Sequence, residues 1–172
     1  MTVPSLIADA IDSSSFRAAM RLPATSVSVV ATGTGTTRSG LTVSAVCSLS
    51  DNPPMLLACV NLNAYALPLI RANGTFSANF LTEAQSDIAE RFAGRHNIHG
   101  EARFSLGDWD TLATGAPVLR DALSVFDCML EREYESPTHA ILIGRVMGII
   151  HNETRRSLVY SAGAFGYAER FA

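Results

Sequence analysis

Hydrophobic and polar residues alternate along much of this chain with the spacing of β-strands. Residues 26–32 read SVSVVAT, in which polar and β-branched side chains alternate, and the glycine-rich segment Gly33–Gly40 leads to a second apolar run at 41–49. This order predicts a hairpin. The next run, MLLACVNL at 55–62, is continuously apolar, which predicts a central strand that is buried on both faces.

Three more strands are predicted at 76–81, 122–134 and 139–151. The stretch 94–117 is polar and irregular apart from Trp109. About six strands with short helices between them, without regular alternation of strand and helix, favour an antiparallel barrel over a doubly wound sheet. A lipocalin-like barrel stays open on the pattern alone. We therefore predict a fold that is mainly β with short helices, of the α+β class.

Short helices are predicted between the strands from their capping residues. Residues 12–15 are expected to cap a helix over Phe16–Leu22. Asn63 is expected to cap a second helix over 64–72. The sequence Thr82–Gln85 has the form of a capping box, in which the Thr hydroxyl accepts a hydrogen bond and the Gln side chain reaches back, so a third helix follows it.

The composition is that of one globular domain. The chain has 172 residues, of which 48% are hydrophobic and 17% are charged, so we expect a single domain over 1–172 with its core at about 16–167. The apolar excess favours burial of surface against a partner subunit. The net charge is −3 and the basic residues are scattered, which disfavours nucleic acid as a partner.

The sequence carries no sign of a membrane or of secretion. Its longest apolar stretch, Met55–Val60, is far shorter than the roughly 20 residues that cross a bilayer. The amino terminus lacks the basic, apolar and small-residue order of a signal peptide. We therefore expect a cytoplasmic protein.

Several common motifs fail on their spacing. The glycines of Gly33–Gly40 precede a strand rather than a helix, which indicates a hairpin turn and not a dinucleotide fingerprint. Apart from Glu101, His96 and His99 have no neighbour of ligand type at convincing spacing, so no metal site is expected. No GxSxG elbow supports a serine hydrolase. The cysteines form no CxxC pair and are expected to be small buried hydrophobes; they are Cys47, Cys59 and Cys128.

Small polar residues stand within the apolar strands. They are Thr42, Ser44, Ser48, Asn61, Asn63, Asn79 and Thr82. A buried hydroxyl or amide without a partner costs about 1–3 kcal/mol, so this set indicates either internal caps or a polar ligand. A flavin suits the second alternative, because its ring needs polar partners along one edge and apolar contacts on its faces, and its phosphate needs N–H, hydroxyl and cationic groups.

Nine segments in order resemble the flavin reductase family with the FMN-binding split barrel. The resemblance runs from about Phe16 to Tyr167 and includes GLTVSAVCSLSDNPP, LLACVN, NGTFSANFL, RFSLGDWD and THAILIGRV. It is most similar to the reductase component of two-component flavin monooxygenases such as 4-hydroxyphenylacetate monooxygenase. The resemblance implies an antiparallel six-stranded split β-barrel, FMN or FAD as flavin, NADH or NADPH as hydride donor, and a homodimer that supplies a partner monooxygenase.

Residue by residue, the resemblance also implies a flavin site. The residues that it places there are Ser26, Val27, Ser28, Thr42, Val43, Ser44, Ala45, Ser48, Cys59, Val60, Asn61, Asn79, Phe80, Leu81, Phe165 and Tyr167. Ser48 is expected near the phosphate-bearing tail, and Asn79–Leu81 are expected to offer backbone groups to the ring. His139, in the Thr-His pair that opens a strand, matches the position expected near the nicotinamide and is the candidate catalytic residue.

One departure from the family concerns the phosphate. This chain has Ala64 and Ala66 where relatives commonly carry hydroxyl side chains, so Arg71 or Arg91 is the candidate to replace them. The expected reaction is hydride transfer from the nicotinamide to the flavin. Two alternatives stay open: a flavin-dependent corrinoid cobalt reductase in cobalamin biosynthesis, and a non-enzymatic flavin- or haem-binding module.

Overall fold

A computed structural model describes residues 11–95 and 97–169. The helices are α1 (Ser13–Met20), α2 (Ala66–Asn73) and α3 (Ser86–Phe92), with 3-10 turns at Gly35–Thr37 and Gly100–Ser105. The strands are β1 (Thr25–Ser26), β2 (Ser28–Thr32), β3 (Ser39–Val43), β4 (Val46–Asp51), β5 (Pro54–Asn61), β6 (Thr75–Phe80), β7 (Trp109–Thr111), β8 (Pro117–Leu119), β9 (Ser124–Glu135), β10 (His139–His151), β11 (Leu158–Ser161) and β12 (Ala164–Tyr167). The prediction of a mainly β fold with short helices is confirmed.

Seven strands form one antiparallel sheet in the order β3-β2-β6-β9-β10-β5-β4. Its two edge strands, β3 and β4, follow each other in the chain and are separated only by Ser44 and Ala45. The strand predicted at 41–49 therefore bends at this corner and passes from one edge of the sheet to the other. The Cys59 N–H donates to the Ala45 carbonyl at 2.9 Å and ties the corner to β5. The sheet thus curls into a barrel whose two edge strands, β3 and β4, are joined at this corner.

The core has two parts because the central strands are covered on both faces. Val30, Phe76 and Leu142 lie in the first part, inside the barrel. The second part packs outside the barrel against α3, around Val29 and Phe92. Adjacent residues of β2 alternate between the two parts, and all five residues of this strand are buried. This is the arrangement expected for an apolar run with two buried faces.

A small aromatic cluster closes the second part of the core. Phe92, Phe104 and Trp109 pack with ring centroids 4.9–5.4 Å apart. Trp109 belongs to β7, which pairs with β8 in a short hairpin within the stretch predicted to be irregular. Each of these strands has three residues, too few for an alternating pattern to be visible in the sequence. A further sheet, in the order β1-β11-β12, pairs the short strand β1 with two strands of the chain's final segment.

The first helix begins earlier than the sequence predicts. The Asp12 carboxylate accepts hydrogen bonds from the N–H groups of Ser14 and Ser15 at 2.9 and 3.0 Å, so α1 starts at Ser13. None of its residues is buried, and the face with Phe16 and Met20 is open to solvent. None of the helices in the described ranges is long and apolar enough to cross a membrane.

The caps of the other helices differ from the prediction. The predicted Asn63 cap is wrong: α2 begins only after Tyr65, because the Asn63 N–H turns back to the Asn61 side chain at 2.8 Å. Half of the predicted capping box is present, since the Gln85 amide oxygen accepts from the Thr82 N–H at 2.9 Å. The Thr82 carbonyl, rather than its hydroxyl, accepts the Gln85 N–H, and α3 follows.

Candidate functional site

A large cleft opens between β3, the segment before α2 and the 3-10 turn at Gly100–Ser105. It has a volume of about 860 Å³, which lies within the range of small-molecule sites. We call it the main cleft. Its lining comprises residues 36–42 and 63–66 together with Leu69, Phe92, Ala93, His99, Gly100 and Arg103.

A second cleft of about 170 Å³ adjoins the main cleft. We call it the side cleft, and it is lined by Val27, Thr42, Val43, Ser44, Ala93, Arg95, Tyr160 and Phe165. The two clefts share Thr42 and Ala93, so they form one continuous groove along β3 and the end of α3. The volume of the side cleft alone is too small for a cofactor, whereas the combined volume of the two clefts is large enough.

The glycine of β3 allows this groove to form. A Cβ atom on Gly40 would lie 2.8 Å from the Val30 carbonyl oxygen and 3.0 Å from the Phe92 ring. Because real side chains do not approach so closely, any other residue would push α3 away from the strand. The Thr42 hydroxyl then holds the helix by donating to the Ala89 carbonyl at 2.6 Å. The contact between β3 and α3 thereby sets the wall of the groove.

The outer edge of β3 faces this groove. Alternate residues of an edge strand turn their peptide groups away from the sheet. The Gly40 carbonyl accepts a hydrogen bond from Arg103 Nη1 at 2.8 Å, which identifies Gly40 as outward-facing. Thr42 lies two residues further along the same edge strand and is turned the same way. Its N–H and C=O are therefore directed into the groove.

Three arginines give the groove its charge. Arg38 is paired with Glu101, and Arg95 contacts Glu90 at 3.4 Å. The guanidinium of Arg103 differs, because it donates to the carbonyls of Gly40, Phe92 and Ile98 and forms no ion pair with a described carboxylate. Its partial burial lowers its pKa, although the group stays charged at neutral pH. The groove therefore carries a positive charge that no carboxylate within 11–95 and 97–169 neutralises.

Five of the predicted flavin residues meet in the side cleft. They are Val27, Thr42, Val43, Ser44 and Phe165. Val27 lies between β1 and β2, Thr42 and Val43 belong to β3, Ser44 follows β3, and Phe165 belongs to β12, so the fold brings separate segments of the chain together. Ser44 is exposed, while the Phe165 ring packs edge-on against Tyr160 at 5.3 Å between centroids. This is the largest group of predicted site residues that shares one cleft.

A second group lies on the outer face of the barrel. His139 of β10 stands directly opposite Asn61 of β5, and Cys59 stands opposite Ile141. Ala45 joins this row through its hydrogen bond to Cys59. His139 Nδ1 lies 2.8 Å from the Thr138 hydroxyl oxygen, which fixes the imidazole at the start of the strand. The pairing of β5 with β10 and with the corner thus brings four predicted residues close together on this face: Ala45, Cys59, Asn61 and His139.

Four predicted residues lie apart from both groups. Ser48 and Phe80 line a third cleft of about 230 Å³ at the end of the barrel, which shares no residue with the groove. Ser26 pairs with Val159 at the edge of the small sheet. Tyr167 is exposed, with the Arg156 guanidinium 3.9 Å from its ring centre. Ser48, which was expected near the flavin phosphate, therefore does not line the groove.

The remaining predicted residues are core residues in this chain. Ser28, Val60, Asn79 and Leu81 are almost completely buried. The Asn79 side chain donates to the Val29 carbonyl and to Ser77 Oγ and accepts from the Leu119 N–H. The Leu81 N–H and carbonyl both have partners within the sheet. Their contacts with flavin stay predictions. In this structure they contribute to the core through burial and internal hydrogen bonds.

Neither arginine that the sequence suggested for the phosphate lines the groove. Arg71 is paired with Glu133 and Glu135 on the outer surface. Arg91 instead holds the 3-10 turn at Gly100–Ser105, through the Ala102 carbonyl and Ser105 Oγ. Arg95 and Arg103 take these places in the groove. The sequence did not single them out, because their neighbourhood depends on how α3 and the 3-10 turn meet β3.

No group of three or more metal-ligating side chains occurs in 11–95 and 97–169. His99 lines the main cleft, whereas His96, which was weighed with it as a metal ligand and not expected to be one, lies outside the described residues. The three cysteines are free. Cys47 is exposed, which differs from the prediction of a buried hydrophobe, and Cys128 is buried. Burial raises the pKa of the Cys128 thiol to about 12, so that this sulfur is unreactive.

Comparison with known proteins identifies the family of this chain. The family described as Flavin reductase like domain matches residues 20–169. Over 153 residues the chain is 41% identical to an FMN reductase (NADH), RutF 2, of Methylorubrum extorquens strain PA1. This match covers 89% of this chain and 88% of that protein.

Two solved structures share the fold closely. BorF, the flavin reductase component of a bacterial two-component tryptophan halogenase, gives a TM-score of 0.84 at 32% identity over 93% of this chain and 100% of that chain. The NADH:FAD oxidoreductase SgcE6 of Streptomyces globisporus, in complex with NAD and FAD fragments, gives a TM-score of 0.81 at 30% identity over 96% of this chain and 98% of that chain. With a family match over nearly its whole length, the chain belongs to the flavin reductase-like domain family.

Proposed function

We propose that this chain catalyses the reduction of FMN or FAD by NADH. The observation that carries the proposal is the outward-facing edge of β3 at Thr42, which borders a groove of cofactor size. The curated relatives named FMN reductase (NADH) support this choice of acceptor and donor. When bound, the flavin accepts a hydride from the nicotinamide, and the protein's task is to hold and orient the two rings.

The side cleft fits the parts of a flavin. The Thr42 N–H and C=O match the acceptors and the donor along the pyrimidine edge of the isoalloxazine, and Ser44 adds an exposed hydroxyl. Val27 and Phe165 offer apolar contact to the ring. We assign the flavin phosphate to Arg95, because its 3.4 Å contact with Glu90 is a weak, exposed ion pair that a phosphate readily replaces.

His139 is proposed to orient the nicotinamide. Its Nδ1 is engaged by the Thr138 hydroxyl, and its Nε2 has no partner among the residues that the structure describes. An imidazole held at one nitrogen presents the other in a fixed direction, as a group that positions a substrate must. His139 lies beside Asn61 on the outer face of the barrel, which is also the face that we propose for dimerisation.

We propose that the active form is a homodimer built on this outer face. Leu57, Cys59, Ile141 and Ile143 point away from the barrel interior and are only half-buried in one chain. Tyr134, opposite Ile141, extends the same apolar surface and is exposed. An apolar patch of this kind is typical of an interface. A partner chain on this face would lie next to His139 and would complete the nicotinamide side of the site.

The acceptor of the reduced flavin is proposed to be a separate monooxygenase. Support comes from the fold shared with reductase components of two-component systems. The cytoplasm is the proposed location, because three free thiols, one of them exposed, suit a reducing compartment. No observation on the described residues favours a corrinoid acceptor or a pure binding module over this reading.

The position of the flavin is tested with two substitutions at one residue. Thr42→Val removes the hydroxyl that holds α3 but keeps the peptide N–H, whereas Thr42→Pro also removes the outward N–H. An edge strand tolerates proline where the N–H faces away from the sheet. We expect the Kd for FMN to be about tenfold higher in Thr42→Pro than in Thr42→Val, measured by flavin fluorescence. Equal FMN affinity in the two variants would overturn the assignment of the ring to this edge.

Activity is measured on the same proteins without oxygen. Mixing the wild-type protein with NADH and FMN is expected to bleach the flavin absorbance at a catalytic rate. Binding of FMN without bleaching would identify a binding module instead. A cobalt corrinoid, offered as an alternative acceptor, is expected to be reduced only as fast as free reduced flavin reduces it.

A further inference from the structure

A third cleft lies at one end of the barrel, apart from the groove. Its volume is about 230 Å³, and strands β4, β5, β6, β9 and β10 contribute to its wall. We call it the end cleft; its lining includes Val46, Ser48, Ser50, Phe80, Phe126 and Ile149. It shares no residue with the main cleft or the side cleft, so it is separate from the site proposed for the flavin.

Two β-bulges lie beside the end cleft. The pairing of β4 with β5 shifts its register between Ser48 and Ser50, and the pairing of β10 with β9 shifts between Val146 and Gly148. Both bulges contribute lining residues, and both lie on strands that flank β5 in the sheet. A bulge bends its strand, and bulges are common at barrel rims and beside ligand sites. The two bulges therefore give the barrel an open end at this cleft.

The lining of the end cleft suits a neutral aromatic ring. Phe80 and Phe126 pack edge-on in its wall, with ring centroids 5.9 Å apart. Within the described part of the chain no acidic or basic side chain lines the cleft, and its side-chain hydroxyls are those of Ser48 and Ser50. An ion would lose its hydration there without gaining a countercharge, whereas an aromatic ring gains apolar and edge-to-face contacts.

A buried hydroxyl without a partner lies beside this cleft. Ser28 is 1% exposed, and its Oγ has no hydrogen-bond partner among the described residues. Ser28 alternates with Val30 along β2 and so points into the barrel, and it stands directly opposite Phe80. Side chains in such a pair have Cβ atoms about 4.5–5.5 Å apart, so a polar group of a ligand that lies along the Phe80 ring comes within reach of this hydroxyl. Since buried hydroxyls are normally satisfied, this one points to a ligand atom.

The volume of the end cleft limits its ligand to about one ring. A cavity of about 150 Å³ holds benzene, so about 230 Å³ holds one ring with a small substituent and is too small for the three rings of a flavin. From these observations we infer that the end cleft binds a small neutral aromatic compound with one hydroxyl group, such as a phenol. The ring would pack against Phe80 and Phe126, and its hydroxyl would bond to Ser28 Oγ.

Phenol is the probe for this site, and toluene and benzoate are the comparison compounds. Binding to the intact protein is measured by calorimetry. We expect saturable binding of phenol with a Kd of about 1 mM or below. Benzoate is expected to bind at least about tenfold more weakly, because its carboxylate would be desolvated without a cation.

Ser28→Ala separates the contribution of the hydroxyl from that of the ring. It removes an oxygen that has no partner, so the fold is expected to be kept. We expect the affinity for phenol to fall about fivefold and the affinity for toluene, which lacks a hydroxyl, to stay unchanged. Ser77→Ala is the matched control, since Ser77 is equally buried but donates to the Pro117 carbonyl outside the barrel. It is expected to leave both affinities unchanged.

Val146→Phe tests the cleft itself by filling it with a ring. It is expected to weaken phenol and toluene alike by at least about tenfold. Ile149→Trp is the second variant, for the case that Val146→Phe does not fold, because Ile149 is 55% exposed and fills the mouth of the cleft without disturbing the core.

Three results would overturn the inference. The first is the absence of saturable phenol binding to the wild type, and the second is an equal loss of phenol and toluene affinity in Ser28→Ala. The third is displacement of phenol by FMN, which would assign the end cleft to the flavin. The rate of FMN reduction by NADH, measured on the same wild-type protein, reports separately on the proposed function.

Discussion

The small polar residues predicted within the strands fall into two groups, those that are hydrogen-bonded in the core and those that are exposed. Asn79 has every side-chain polar atom engaged by Val29, Ser77 and Leu119, so it links β2 and β6 to the β7–β8 hairpin. Ser44 is exposed at the corner of the barrel and is free to meet a ligand. Both residues look alike in the sequence, as small polar side chains within apolar strands. The fold decides which of them is already satisfied.

Asn79→Ala is expected to destabilise the protein by about 2–4 kcal/mol. The substitution leaves the Leu119 N–H and the Val29 carbonyl without their side-chain partner in a site that is fully buried. Urea unfolding at a fixed protein concentration measures the change.

Asn73→Ala serves as the matched control. Asn73 is exposed and donates one hydrogen bond, to the Thr32 hydroxyl at 3.2 Å, so its loss is expected to cost less than about 1 kcal/mol. Similar destabilisation by both substitutions would contradict the structural role of Asn79.

Several of the site residues predicted from the sequence lie in one cleft, but their arrangement could not be predicted. Thr42, Ser44 and Phe165 were singled out and meet in one cleft. Arg103 was missed, because nothing in its local sequence marks it, and its role arises from reaching across to Gly40. Local patterns report propensity and burial, whereas contacts between distant segments depend on the assembled fold.

At the scale of elements, the 3-10 turn at Gly100–Ser105 depends on arginine contacts for its position. Arg91 and Arg103 hold it through backbone carbonyls, and the Arg38–Glu101 ion pair joins it to the turn before β3. Hydrogen bonds from Arg38 hold the pKa of the Glu101 carboxyl below its usual value. This ion pair makes the wall of the main cleft sensitive to acid.

Glu101→Gln tests the contribution of the ion pair across pH. Because the pKa of Glu101 is depressed in the folded state, its stabilising effect is complete above the unfolded pKa and is lost as pH falls through the folded one. We expect the wild type to be more stable than Glu101→Gln at about pH 7 and the two to converge near pH 3, as measured by denaturant midpoints. A difference that stays constant over this range would show that the charge of Glu101 does not contribute.

Most elements of five residues or more were predictable, whereas the strands of two to four residues were not. Strands β5, β9 and β10 lie within one or two residues of their predicted positions, because apolar runs of eight or more residues give a strong signal. The hairpin of β7 and β8 was missed for lack of length. The break at Ser44 and Ala45 was also missed. The residues on both sides of it continue a strand-like pattern, although the chain passes there from one edge of the sheet to the other.

At the scale of the whole molecule, the half-buried apolar face of β5 and β10 is the proposed dimer interface. Ile143→Lys places a charge at the centre of this face, opposite Leu57. We expect the mass measured by light scattering at micromolar concentration to fall from that of two chains to that of one, with loss of NADH-dependent activity.

Ala84→Lys is the control, since it adds the same charge at an exposed position before α3. It is expected to leave the dimer unchanged. A dimer that persists in Ile143→Lys would move the interface to another surface, and a fully active monomer would show that each site is complete within one chain.

The open edge of β3 also bears on how the protein avoids aggregation. An unpaired strand edge is a template on which a foreign strand can add. Here Arg103 covers the Gly40 carbonyl, and the chain turns away at Ser44, so that the run left open around Thr42 is too short to seed a new ladder. The arginine that borders the cleft thus also blocks strand addition at this edge of the sheet.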